Sequence, residues 1–243
     1  MIASFHLIRY PWRNASKGMS RMGLDRPVLR RTDGLTFWRL LGTGRGRTLT
    51  PSMDPRRWAM FGVWRDQDAL DAFLGSSEVA ARWGELAEEA WHVRLALVRG
   101  RGAWGALRVD SGQWTVDSAE GPVAVLTRAA VRPTRVLPFV RATPGPAAEI
   151  AGAPGALEWL GIGEAPLGAQ ATFSLWDSEA SMRAYAYESP HHLDVVRRRR
   201  EEGWYSQELF ARFRPYGSTG TWNGRDPLAD LVGHHLGAEH HER

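Results

Sequence analysis

Apolar and polar positions along the chain change period at regular places, and those changes mark out a repeated order of elements. "IASFHLIR" (2–9) and "LTFWRLLG" (35–42) read as strands, with a poor helix over 15–30 between them. "FGVWRDQDALDAFLGSSEVAARWGELAEEAWHVRLALV" (61–98) follows. It opens on Phe-x-x-Trp, passes through two short helical segments and reaches Trp91 at the start of another extended run. The same series then recurs. "PVAVLTRAAV" (122–131) is a strand, 134–151 an interrupted helix and "ALEWLGIG" (156–163) a strand. "FSLWDSEASMRAYAYESPHHLDVVRRRREEGWYSQELFARF" (173–213) again opens on Phe-x-x-Trp and runs through Trp204. The Trp64–Trp91 and Trp176–Trp204 spacings differ by a single position, as expected of a duplicated unit.

Each copy spells β-α-β-β-α-β. The predicted class is therefore α+β, with two tandem ferredoxin-like domains whose helices lie on one face of antiparallel sheets. The expected boundaries are 1–99 for the first domain and 122–215 for the second. Between them 100–121, rich in Gly, Ser and Asp, reads as a linker, and 216–243 as a loosely ordered, His-rich tail.

The copies differ where chemistry could enter. In the first, Val79, Trp83 and Leu86 form an apolar stripe that should face a sheet. Counting back from the closing tryptophans equates Val79 with His192, which keeps Val195 and Val196 as its helical neighbours. A histidine in an inward position needs a hydrogen-bond partner or a metal, because an unsatisfied buried polar group costs roughly 1–3 kcal/mol. Ser189 and Pro190 suit a helix start, where the dipole favours the neutral, ligating imidazole over the imidazolium. His191 points about 100° away and is the alternative ligand. The residues alone leave metal ligation and a simple hydrogen bond to a carbonyl both open. Arg197–Arg200 are explained equally well as cations that complement a helix C-terminus.

Composition narrows the classes. Hydrophobic residues make up 43% of the 243, so a globular core is expected. The net charge is +4, and every basic residue except Lys17 is arginine. Acidic residues lie between the arginines, so nucleic acid is not an expected partner. With no cysteine, disulfides, thiolate metal sites and iron–sulfur clusters are excluded. No apolar run is long enough to cross a bilayer, and a cytoplasmic location is expected. Twelve tryptophans point to a large core or an apolar ligand cavity. "GTGRGR" (42–47) lacks the strand-to-helix setting of a nucleotide loop and reads as a hairpin connection. "HHLGAEHH" (234–241) could take up a metal but offers no preformed geometry.

Several blocks together resemble the spheroidene monooxygenase family of acyclic carotenoid 2-ketolases, which the resemblance implies to be of the haem-binding, dimeric α/β-barrel type. They are "FWRLLGTGRG" (37–46), "LTRAAVR" (126–132), "GIGEAPLGAQATFSLW" (161–176) and "EEGWYSQELFARF" (201–213). The resemblance implies haem b, with His192 as iron ligand twelve residues before Trp204. It implies kinship with the chlorite dismutase and dye-decolorising peroxidase type, in which haem occupies the C-terminal of two ferredoxin-like domains. The expected cofactor-binding set is His192, Val195, Val196 and Arg199. Arg128, Gln170 and Ser174 on the sheet are the expected distal, catalytic residues. The function so implied is a haem-dependent monooxygenase acting on an apolar small molecule, with an external electron donor such as a ferredoxin. Another haem chemistry of a biosynthetic pathway, or haem binding without turnover, remains the alternative, and peripheral membrane contact and a homo-oligomer stay open. The His191–His192 doublet and the His-rich tail depart from the family pattern.

Overall fold

The computed structural model describes residues 2–44, 53–110, 121–132, 134, 149–164, 169–188 and 205–232. The first copy runs β1 (Ile2–Arg9), α1 (Ala15–Leu24), α2 (Arg26–Arg31), β2 (Leu35–Gly44), β3 (Met53–Trp64), α3 (Gln67–Ser76), α4 (Glu78–Leu86) and β4 (Glu89–Trp104). A short β5 (Leu107–Val109) folds back on β4. The second copy runs β6 (Val123–Val131), a helical turn at 149–152, β7 (Ala156–Glu164), β8 (Ala169–Trp176), α5 (Glu179–Glu188) and β9 (Tyr205–Gly220), and α6 (Ala229–Val232) follows. Side chains stop the helices where the sequence changes period. Asp66 accepts from the Ala69 N–H at the start of α3, and Ser77 from the Ala80 N–H at the start of α4.

The expected element order holds in both copies, but their sheets are continuous with each other. Strands follow the order β1-β3-β2-β7-β8-β6-β9-β4, and β4 pairs back onto β1, closing an eight-stranded antiparallel barrel. One seam between the copies is long, with β4 and β9 paired from Trp91↔Gly220 to Gly102↔Leu209. Among the described residues the other, between β2 and β7, pairs Gly42↔Gly163 and Thr43↔Ile162.

Two stretches read as linker and tail extend that long seam. Gly100 and Gly102 lie inside β4 because the neighbouring chains leave no room for a side chain. A Cβ at Gly102 would sit 2.1 Å from the Glu208 carbonyl oxygen, and φ is +98° there. Pro215, the last residue of the expected second domain, sits at a register shift opposite Leu95, where its missing N–H is tolerated, and β9 continues beyond it. Of the expected helix over 134–151, all but residues 134 and 149–151 lies outside the described residues.

Period-two alternation sends one face of every barrel strand inward and the other outward. The inward face is filled. Phe5 and Phe173 stack at 4.0 Å between ring centroids, one ring from each copy. Phe61, Trp91, Trp104, Leu126, Leu160 and Phe213 belong to the same buried cluster. The barrel is therefore a packed core, with no lumen for a large ligand. Outside it, α1 to α4 cover the first copy's strands through Leu29, Phe73, Val79 and Trp83, against Ile8, Met60 and Trp64. Ile150 and Met182 cover the second copy's strands through Val123, Val125, Trp159 and Trp176. No helix among the described residues is long and apolar enough to cross a membrane.

Candidate functional site

The outward faces of the two copies can be compared position by position, because their ladders have the same register. Met60 pairs with His6 and Leu40, and His6 also pairs with His92. In the second copy Thr172 pairs with Thr127 and Gly161, and Thr127 also pairs with Phe210. The central patch thus changes from His6, Met60 and Leu40 to Thr127, Thr172 and Gly161. One pair further along, Trp58 becomes Gln170, and at the other side Gly62 becomes Ser174. Bulk is lost at the positions of Met60, Leu40, His6 and Trp58, and polar groups appear at Thr127, Thr172, Gln170 and Ser174.

Burial follows that exchange. His6, Met60 and Trp58 are buried beneath the first copy's helices. Thr127 is exposed, and Thr172 and Gln170 are only half-buried. Among the described residues the outward side chains of the second sheet are therefore smaller and less covered than those of the first, leaving a polar-floored depression there. Its rim is apolar: Trp159, Trp176 and Val125 are buried beside it, with Tyr185 and Phe210 packed against the same cluster. Ser174 accepts a hydrogen bond from Trp176 Nε1 at 3.0 Å. The first copy satisfies the equivalent Trp64 Nε1 with Ser4 Oγ at 2.8 Å.

Gln170 and Ser174 share this outward face, but Arg128 does not join them. Arg128 belongs to the alternate set with Ala124 and Leu126 and points into one end of the barrel, replacing the first copy's Leu7. Its Nη1 donates to Gln207 Oε1 at 3.0 Å, and its Nε lies 3.7 Å from Glu164. Glu164 also meets Arg39 at 3.6 Å and accepts from Trp104 Nε1. Burial lowers the pKa of Arg128 and of Arg39, and the Glu164 carboxylate opposes that shift in both. The structure thus gives Arg128 an ion-pair setting inside the barrel, apart from the other two expected distal residues. His191, His192, Val195, Val196, Arg199 and Trp204 lie outside the described residues. Thr127 and Gly161 complete the depression and were not among the residues singled out from sequence; extending the repeat comparison from the helices to the strands finds both.

In the first copy the same region holds a closed hydrogen-bond chain. His6 Nδ1 and His92 Nδ1 lie 3.0 Å apart, and His6 Nε2 lies 2.8 Å from Ser4 Oγ. Ser4 accepts from Trp64, so its own proton can go to His6 Nε2. This leaves His6 Nδ1–H to donate to His92. Burial depresses both imidazoles, helped by Arg94, and holds His92 at about 4. Native His92 stays neutral while its unfolded form takes a proton below about 6.5. The contribution to stability is complete above that pH and is lost as pH falls toward 4, amounting to about 3 kcal/mol. Urea midpoints measured from pH 7.5 down to 4.5 should fall accordingly, and His92→Phe, the residue at equivalent position 210, should flatten the dependence. An equally steep loss in that variant would assign the acid sensitivity to other groups.

Among the described residues no cluster of three or more His, Asp or Glu side chains is placed to hold a metal. The surroundings of the depression nevertheless suit a flat, largely apolar group with a polar centre, since its floor is polar and its rim aromatic and aliphatic. Haem b meets that description.

Comparison with known proteins places the chain. No protein-family model matches it. Spheroidene monooxygenase of Rhodobacter capsulatus is 34% identical over 95% of this chain and 97% of its own length. Spheroidene monooxygenase of Rubrivivax gelatinosus is 37% identical over 79% of this chain and 73% of its own. Among solved structures, an aldoxime dehydratase superimposes with a TM-score of 0.56 at 13% identity, covering 88% of this chain and 80% of its own, which is a likeness of fold. With identity sustained along nearly the whole of both chains, the protein belongs to the spheroidene monooxygenase family.

Proposed function

We propose that the protein is a haem-dependent monooxygenase that oxidises an apolar acyclic carotenoid, with haem b held on the outward face of the second sheet. The observation that carries this reading is the loss of bulk at Thr127, Gly161, Thr172 and Gln170 in one copy only. Val79 packs into the first copy's filled cluster together with Met60 and Trp64. His192, paired with Val79 by counting back from the closing tryptophans, would look onto the emptied patch as the iron ligand, with His191 the alternative. Val195, Val196 and Arg199 would lie along the same segment.

Haem supplies the activation of dioxygen, and the protein sets its ligand, its orientation and the polarity of the opposite side. Gln170, Thr172 and Thr127 offer hydrogen bonds from the sheet. The Ser174 hydroxyl is tied to Trp176, which gives that side a fixed donor and acceptor pattern. Trp159 and Phe210 make the surroundings apolar enough to exclude water and seat a polyene. Reduction requires an external donor such as a ferredoxin. Two hydroxylations at one carbon followed by loss of water give the ketone.

Expression with a haem precursor should yield protein carrying up to one haem per chain by pyridine haemochrome assay. With a ferredoxin reducing system and an acyclic carotenoid, that protein should form hydroxylated and keto products. Colourless protein that fails to take up added haemin would sink the reading; haem-loaded protein inert toward every carotenoid would keep the cofactor and remove the substrate.

A further inference from the structure

We infer that the surface formed by α1 and α2 docks on an anionic phospholipid bilayer. Five large hydrophobic side chains are exposed among the described residues, and three of them, Trp12, Met19 and Leu24, fall in this one segment at 67%, 50% and 60% exposure. Single exposed apolar residues are ordinary; three on one short helix and the turn before it are not. Trp12 contributes nothing to the core. Its ring lies against the Arg56 guanidinium, 5.2 Å from the centroid, and remains open on the other side.

The inward side of α1 is accounted for. Gly18 lies so close to Tyr10 that a Cβ would meet the ring at 2.5 Å, and Met22 packs into the first copy's outer cluster. The outward arc carries Met19 and Leu24 on its flanks, with the small Ser16, Ser20 and Gly23 between them, so the apolar side chains stand clear of the helix. Around them Arg13, Lys17, Arg26, Arg30 and Arg31 are all exposed. From Trp12 to Arg31 the one acidic residue is Asp25, which is 3% exposed and accepts from Arg82 at 2.7 Å. The exposed charges of this segment are therefore all cationic, and the neighbouring Glu88 is engaged by Arg56 and Arg9.

Cations ringed around protruding aromatic and aliphatic groups match an interface with negative headgroups outside and hydrocarbon beneath. Tryptophan favours that boundary in particular. A flat acidic protein surface would satisfy the arginines but leave Met19, Leu24 and Trp12 without an apolar medium, so the bilayer is the better complement. The inference stands on this surface alone and is independent of where haem binds.

The test uses the full chain and vesicles of phosphatidylcholine with or without phosphatidylglycerol. Wild-type protein should co-sediment with the anionic vesicles, weaken as salt rises and largely ignore the neutral ones. Trp12→Ser with Met19→Ser and Leu24→Ser, and separately Arg13→Glu with Lys17→Glu, should each weaken binding at least about tenfold without lowering the melting temperature. Trp12→Phe should still bind yet lose the fluorescence quenching that brominated lipid produces in the wild type. The inference is overturned if wild type fails to sediment, if the variants sediment equally, or if quenching survives in Trp12→Phe. It is also overturned if the charge reversals abolish capture by polyglutamate while leaving vesicle binding intact.

Discussion

Phe173→Ala is expected to destabilise the protein by about 3–5 kcal/mol and to do so for both copies at once. Phe173 is buried in β8 of the second copy, and its stacking partner Phe5 belongs to β1 of the first. Trp91 and Trp222 lie against the same ring, at 6.4 and 6.5 Å between centroids. Removing it opens a void that β1, β4 and β8, strands of both repeats, would have to collapse around. Were the copies independent domains, the loss would fall on the second and leave a first transition near its original midpoint. A single shared core predicts one cooperative transition, displaced as a whole, whether followed by far-ultraviolet circular dichroism or by tryptophan fluorescence. Two separated transitions in the variant would show that the barrel seams are weaker than the stacked interior implies.

His192→Ala should abolish stoichiometric haem binding, or shift the Soret band to that of a misligated species, whereas His191→Ala should leave the spectrum nearly unchanged. Three steps meet in this expectation. Counting back from Trp91 and Trp204 pairs His192 with Val79, which is fully buried against the first copy's sheet. The strand ladders instead align Trp91 with Leu209, so this pairing rests on the tryptophan spacing and not on the strand register. Consecutive helical residues diverge by about 100°, so only one histidine of the doublet can occupy that direction. The patch beneath the equivalent position has been emptied of Met60, Leu40 and His6 counterparts and refilled with Thr172, Gly161 and Thr127. If the two variants exchange phenotypes, the ligand moves one residue along and the helical register over this segment is wrong by the same amount. Apo-protein melting temperatures for both variants separate loss of haem from loss of fold.

Much of this architecture was legible in the residues. Phe-x-x-Trp, the paired Trp spacings and the alternating strands were enough to predict both copies and their element order, because period and turn chemistry are local properties. Closure of the two sheets into one barrel was implied by the family resemblance alone; the residues' own pattern does not give it, since closure depends on which edges meet. Gly100 and Gly102 fall in the stretch expected to be a linker, and Pro215 ends the expected second domain. In β4 the glycines instead admit a neighbouring backbone, and in β9 the proline falls at a register shift. The site divided along the same line. Gln170 and Ser174 share one strand face with Thr172 by simple alternation. Arg128 lies on the alternate face, and its partners Glu164 and Gln207 are supplied by strands distant in sequence. Pairings of that kind exist only once the barrel has closed.

The matched ladders of the two copies also bear on how such a site could arise. Had the barrel been assembled from two identical half-length chains, every change would appear twice, related by a dyad. Emptying the patch for a ligand would then hollow both sides, and filling it for stability would close both. Covalent joining removes that symmetry. One side could keep Trp58, Met60 and Leu40 as ballast while the other gave up the same three positions to Gln170, Thr172 and Gly161. The first copy is then the counterweight that lets the second remain open, and restoring bulk at Gly161 or Thr172 would return the protein toward a symmetric ancestor with no room for a guest.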